Sequence, residues 1–227
     1  MTNLVCSNRA WCWPLAESLS EATGEEFILI TSPDQLTFEA LVEHEPRYVF
    51  FPHWSEIIPT KLHENWECVV FHMTDLPYGR GGSPLQNLIQ RGIYETKMTA
   101  LRCVEELDAG PIYSKAPLSL HGSAEEIYIR AAALIERMII EILQTNLIPE
   151  PQPGVSQPGF KRRTPADSDW SSATSLNEIF DFIRMLDAPG YPRAFIKIGD
   201  FRLEFSRAQL KQDGLLADVK ITNERHE

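Results

Sequence analysis

The sequence predicts an α/β protein, built on a doubly wound, mostly parallel sheet and closed by a small α+β carboxyl-terminal appendage. Three observations carry that expectation. The apolar runs EFILI, RYVFF and WECVVF are continuous rather than alternating, as when helices cover both faces of a strand. Stretches with helical spacing separate them, which is the strand and helix alternation of a parallel sheet. Past residue 170 the pattern changes to one helix and the alternating segment AFIKIGDFRLEF.

Taken in order, Asn3 to Cys6 reads as a first strand, SNRAW as a loop, and Leu15 and Leu19 as one face of a helix. EFILIT is a second strand. Phe38, Leu41 and Val42 mark a helix that stops before Pro46. The third and fourth strands end near Phe51 and His72, and the loop HWSEIIP follows the third. Ser83 and Pro84 open a helix that runs to the glycine of PLQNLIQRG. MTALRCVEELDAGPIYSKAPLSL reads as two strands joined at DAG. Ser123 with Glu126 forms a capping box for a long amphipathic helix through about Leu143.

The proline- and glycine-rich stretch 146–170 reads as a surface connector, which divides the chain into 1–145, the connector, and 171–227. In the last part SLNEIFDFIRMLD is a helix with Leu176, Ile179, Phe180 and Ile183 on its apolar face, and AFIKIGDFRLEF is a two-stranded hairpin.

Composition narrows the function. The chain has 227 residues, 43% hydrophobic and 23% charged, which is ordinary for a folded protein. A net charge of -11 and a pI near 5.1 argue against nucleic acid as a partner, since the only obvious basic cluster is Lys161, Arg162 and Arg163. Four cysteines without a CxxC pair, and no apolar leader, suit reduced thiols in the cytoplasm, and no metal-ligand spacing is seen. The apolar run from Ala131 to Leu143 carries Glu136, Arg137 and Glu141, which excludes a membrane span.

The densest chemistry lies in FHMTDLPYGRGGSP, residues 71–84. A histidine at the end of a buried strand serves as a general acid or base when a partner sets its protonation. Asp75 is near in sequence, and Asp108 sits at the tip of the DAG turn. Alternatively His72 is a hydrogen-bonded core histidine and Asp108 a plain turn residue. The glycines fit neither the phosphate-loop nor the dinucleotide spacing. Arg80 either braces the carbonyls of the turn or meets an anionic substrate group, with bracing preferred.

Several separated motifs resemble the formyltransferases that use 10-formyltetrahydrofolate. These are HMTDLPYGRG followed by SPLQNLIQRG, LDAGPI at 107–112, RRTPADSDW, and LDAPGYPRAFIKIGDFRL. They recur in a consistent order over about two thirds of the chain. The resemblance implies a Rossmann-like formyltransferase domain and 10-formyltetrahydrofolate as formyl donor. The DLPxGRGxSP form is most similar to enzymes acting on nucleotide-linked amino sugars, which implies such a sugar as acceptor and a homodimer. Alternatives are a catalytically silent relative that keeps only binding, and a transformylase of purine synthesis.

Carried onto this chain, the resemblance implies His72 as oxyanion stabiliser and proton donor, with Asp108 orienting it or accepting the amine proton. The pterin maps onto the loop with Pro52, Trp54 and Ile58 and the turn with Leu76, Pro77, Gly79 and Arg80. Asn8, Arg9, Trp11, Thr74 and Asp75 are candidate acceptor contacts, although Arg9 and Trp11 equally suit packing of the first helix. One departure stands out. The family's Asn, two residues before the His, is Val70 here, and Asn87 is the first candidate to replace it, with Thr74 or backbone amides next.

Overall fold

The computed structural model describes residues 1–154 and 159–224. The elements in chain order are β1 (Thr2–Cys6), α1 (Leu15–Thr23), β2 (Glu26–Ile30), α2 (Phe38–His44), β3 (Val49–Phe51), α3 (Thr60–His63), β4 (Cys68–His72) and α4 (Pro84–Ile89). They continue with β5 (Glu95–Arg102), β6 (Ile112–Ser119), α5 (Ala124–Thr145), α6 (Leu176–Arg184), β7 (Ala194–Ile198), β8 (Phe201–Leu210) and β9 (Leu215–Asn223).

The chain forms two compact units that interleave along the sequence. The first comprises residues 1–81, 96–118 and 128–159, and the second 82–95, 119–127 and 160–227. A six-stranded sheet has the order β2-β1-β3-β4-β5-β6, with β1 to β4 parallel and β5 antiparallel to β4. This is the expected doubly wound, mostly parallel arrangement. Leu4, Val49, Phe50, Phe51, Cys68 and Val69 are all but inaccessible to water, the pattern of strands covered on both faces. Each large apolar side chain so buried contributes about 1.5–3 kcal/mol of transfer free energy.

Local signals hold where they were strongest. Ser123 and Glu126 make the reciprocal capping box, with Ser123 N–H donating to Glu126 Oε2 at 2.8 Å and Glu126 N–H to Ser123 Oγ at 3.3 Å. Ser175 caps α6 in the same way, accepting from Glu178 N–H at 3.2 Å. Among the described residues, no helix is long and apolar enough to cross a membrane.

Two expectations need correcting. AFIKIGDFRLEF does form a hairpin, β7 with β8, but the carboxyl-terminal sheet has a third strand, in the order β7-β8-β9. Val219 and Ile221 alternate with Asp218, Lys220 and Thr222, a period-2 signal that β9 carries and the reading overlooked. The connector is also more than a surface linker. Ile112 and Glu150 exchange backbone hydrogen bonds of 2.7 and 2.8 Å within the first unit. In the second, Gly82 N–H donates to Phe160 O at 3.1 Å, and a Cβ on Gly82 would lie 2.5 Å from Arg162 Cβ. Residues 155–158 of the connector lie outside the described residues.

Candidate active site

β4 delivers His72 to the carboxyl end of the sheet, where loops diverge. Its ring is buried, and Nε2 lies 2.8 Å from Gly79 O in the following turn. A carbonyl only accepts, so the proton is on Nε2. Nδ1 lies 3.5 Å from Asp108 Oδ2. That separation is longer than the 2.7–2.9 Å or so of a formed charge-assisted hydrogen bond, as is common at catalytic pairs without substrate.

Asp108 reaches His72 because the turn between β5 and β6 is forced close to the sheet. A Cβ on Gly110 would stand 1.9 Å from Arg102 O, so only glycine allows that approach. Arg102 N–H donates to Pro111 O at 2.8 Å and fixes the turn. Asp108 itself adopts φ +54, in the left-handed region, and its Oδ2 accepts from Gly81 N–H at 2.8 Å. The glycine turn therefore binds both residues, His72 through Gly79 and Asp108 through Gly81.

The other expected site residues divide sharply. Asn87 Nδ2 donates to Gly82 O, Ser83 O and Lys161 O at 3.0–3.1 Å, while its Oδ1 accepts from Arg91 at 3.0 Å. The amide that was to replace the missing oxyanion donor is therefore already engaged. Thr74 is fully buried, with Oγ1 3.5 Å from Gly79 O and its carbonyl accepting from Thr99 Oγ1 at 2.7 Å. Asp75 pairs with Lys115 at 2.5 Å and Lys97 at 3.0 Å. Burial pushes its carboxyl up, but the two lysines outweigh that and hold it below the usual range. Arg80 braces the site rather than facing outward, bonding Gln152 and Glu106. Leu76 is core, Gly79 contributes its carbonyl, and the Leu76–Pro77 peptide is cis. Val70 packs against the core and pairs with Phe51 and Leu101, with no polar group to offer.

At the carboxyl ends of β1 and β3 the polar groups are less fully used. The chain leaves β1 for β2 on one side and returns to β3 on the other, so this is a topological switch point. Asn8 Nδ2 donates to Ser55 Oγ at 2.5 Å and joins the two loops. Trp11 stacks on Tyr128 with centroids 5.1 Å apart, and His53 meets both rings edge-on. Trp54 and Ile58 pack on the core, and Pro52 is buried. Asn8 Oδ1, Trp11 Nε1, His53 Nε2 and Trp54 Nε1 are buried without a hydrogen-bond partner among the described residues. Sequence reasoning passed over His53, which stands at φ +52 immediately after Pro52. Burial, with the charge of Arg9 second, lowers its imidazole to about 4.

Comparison with known proteins settles the family. A methionyl-tRNA formyltransferase from Clostridium thermocellum superposes with a TM-score of 0.95 and 46% identity, over 98% of this chain and 99% of that one. The chain belongs to the formyltransferase family. The model of the methionyl-tRNA formyltransferase carboxyl-terminal domain matches residues 165–222. The methionyl-tRNA formyltransferase of Lactobacillus delbrueckii subsp. bulgaricus is 26% identical over 208 residues, 87% of this chain and 64% of that protein. This family member spans 35% to 64% of the length of the curated relatives it matches. HypX from Aquifex aeolicus in complex with tetrahydrofolic acid shares the fold over 93% of this chain and 38% of its own, with a TM-score of 0.73 and 17% identity.

These findings overturn the nucleotide-sugar acceptor, because the curated relatives and the solved structure that is 46% identical are named methionyl-tRNA formyltransferases. The inference from the DLPxGRGxSP turn failed for a physical reason: the contacts of that turn are with His72 and Asp108 of the same chain, and they carry no information about the acceptor. The argument from charge against nucleic acid falls with it, since a whole-chain sum sets the distant potential and leaves local contacts open.

Proposed function

We propose that this chain transfers a formyl group from 10-formyltetrahydrofolate to a primary amine, and that the amine is the one named for its relatives, that of methionyl-tRNA. The observation that carries the reading is the His72 and Asp108 pair, 3.5 Å apart at a strand end in a family of formyltransferases. Formyl transfer makes one C–N bond and breaks another. One proton must leave the attacking amine, and one must reach the departing nitrogen. Asp108, whose Oδ1 makes no hydrogen bond among the described residues, accepts the first and passes it to His72 Nδ1. His72 gives the second from Nε2 as that N–H leaves the Gly79 carbonyl, so that the imidazole ends neutral. The folate supplies the activated formyl carbon.

With Val70 apolar and Asn87 engaged, His72 and backbone N–H groups remain to stabilise the oxyanion, a role worth on the order of 3 kcal/mol per donor. The unpaired Trp11, His53 and Trp54 nitrogens, with Asn8 Oδ1, suit a flat ligand edged by donors and acceptors, which fits either the pterin or the acceptor end. A cytoplasmic setting agrees with the free cysteines. For the homodimer, support comes from one face of the β7-β8-β9 sheet. There Ile198 is paired with Phe201, Ile221 with Leu203 and Val219 with Phe205, and Ile198, Phe201, Val219 and Ile221 are 46–62% exposed.

The test is tetrahydrofolate production on mixing the protein with 10-formyltetrahydrofolate and methionyl-tRNA, read by absorbance, with the formyl group located by mass spectrometry. Turnover with methionyl-tRNA is expected. Absence of tetrahydrofolate with this and every other amine acceptor would overturn the activity, and turnover with other amines alone would overturn the acceptor.

A further inference from the structure

We infer that Gln152, in the stretch that reads as a linker, is a positioning residue for Asp108. This inference rests on the formyl-transfer reading for its kinetic consequences and on the geometry alone for its structural ones. Asp108 is a non-glycine residue at φ +54, a conformation that costs roughly 1–3 kcal/mol and persists only when neighbours hold it. One neighbour is Gly81 N–H, which holds the carboxylate.

The other is Gln152. Its Nε2 donates to Asp108 O at 2.7 Å and to Gly110 O at 2.9 Å, so both amide hydrogens are used on the carbonyls flanking Ala109. Its Oε1 accepts from Arg80 Nε at 3.2 Å and Nη2 at 2.7 Å. The amide therefore has only one workable orientation. Turning it over would set NH2 against a guanidinium and an oxygen against two carbonyls. Register comes from the backbone pair of Ile112 with Glu150, two residues earlier. Arg80 stands between Gly79, which holds His72, and Gly81, which holds Asp108. Arg80 and Gln152 thus close a ring of contacts through both working residues, and the strained turn is clamped from its backbone side.

A merely structural role would lower stability without altering the His72 environment. The test uses Gln152→Glu, which keeps the shape and the acceptor for Arg80 but loses both donors, beside Gln152→Ala. The expected result is a kcat lowered on the order of 10–100-fold, KM for folate and acceptor within about twofold, and a displaced pH profile. The ring resonances of His72, followed by NMR, should move in both variants while the thermal transition shows a folded protein. Unchanged His72 resonances in folded Gln152→Glu would overturn the inference, as would unchanged kcat in an active enzyme. Displaced resonances in a protein whose wild type has no transferase activity would uphold the positioning role and sink the functional reading instead.

Discussion

Asp108 and Asn87 both anchor the glycine-rich turn, Asp108 by accepting from Gly81 N–H and Asn87 by donating to Gly82 O. They differ in what is left over. Asp108 spends one oxygen on the turn and keeps the carboxylate beside His72. Asn87 spends its amide on three carbonyls and its oxygen on Arg91. A polar residue at a site is available for chemistry only to the extent that folding has not already used its valences. The same contrast separates the β1 and β3 loop ends, with unpaired nitrogens, from Asp75 and Thr74, which are engaged.

The comparison is broken most directly at Asp108. Asp108→Asn should lower kcat by about 10²–10³-fold in a formyl-transfer assay with little change in the urea midpoint, since asparagine tolerates φ +54 as aspartate does and its amide oxygen still accepts from Gly81 N–H. A variant within threefold of wild type would remove Asp108 from the chemistry. Gly110→Ala should destabilise by roughly 2–4 kcal/mol in urea unfolding, since the added methyl meets the Arg102 carbonyl. Asn87→Ala should show the reverse of Asp108→Asn, with kcat/KM kept within about threefold and stability lowered by about 1–3 kcal/mol, because three carbonyls lose their donor.

A smaller effect is expected at His53. Its folded pKa, near 4, lies below the ordinary value, so the stability tied to its neutral form is complete above about pH 6.5. It should be lost as pH falls from there toward 4. His53→Phe should flatten the urea midpoint over that window by about 1–2 kcal/mol, and an unchanged slope would refute the assignment. Asp75 gives the smallest. Its depressed carboxyl contributes above about pH 4 and is lost below it, and Asp75→Asn should cost under about 1 kcal/mol at neutral pH because the pair is exposed.

Much of this was legible along the chain because it depends on neighbours in sequence. Strand burial followed from continuous apolar runs, and the capping box from Ser123 and Glu126 three residues apart. The motifs around His72 and Asp108 point to the two as a pair, and the fold brings them within 3.5 Å. The engagement of Asn87 was not legible, because nearness in sequence says nothing about which carbonyls surround an amide. Gln152 was missed because PEPQPG has the composition of a linker, yet its backbone pairing with Ile112 turns it toward the DAG turn. The acceptor was misassigned from a turn that holds His72 and Asp108.

The sequence by itself determined most of the strands and helices and the Ser123 capping box, since periodicity and short-range hydrogen bonding are local. Only the tertiary structure decided which polar atoms are spent and which are spare. Each carbonyl and amide is satisfied by whatever folding brings within about 3 Å, and for Asp108, Asn87 and Gln152 those partners include groups 27, 74 and 72 residues away.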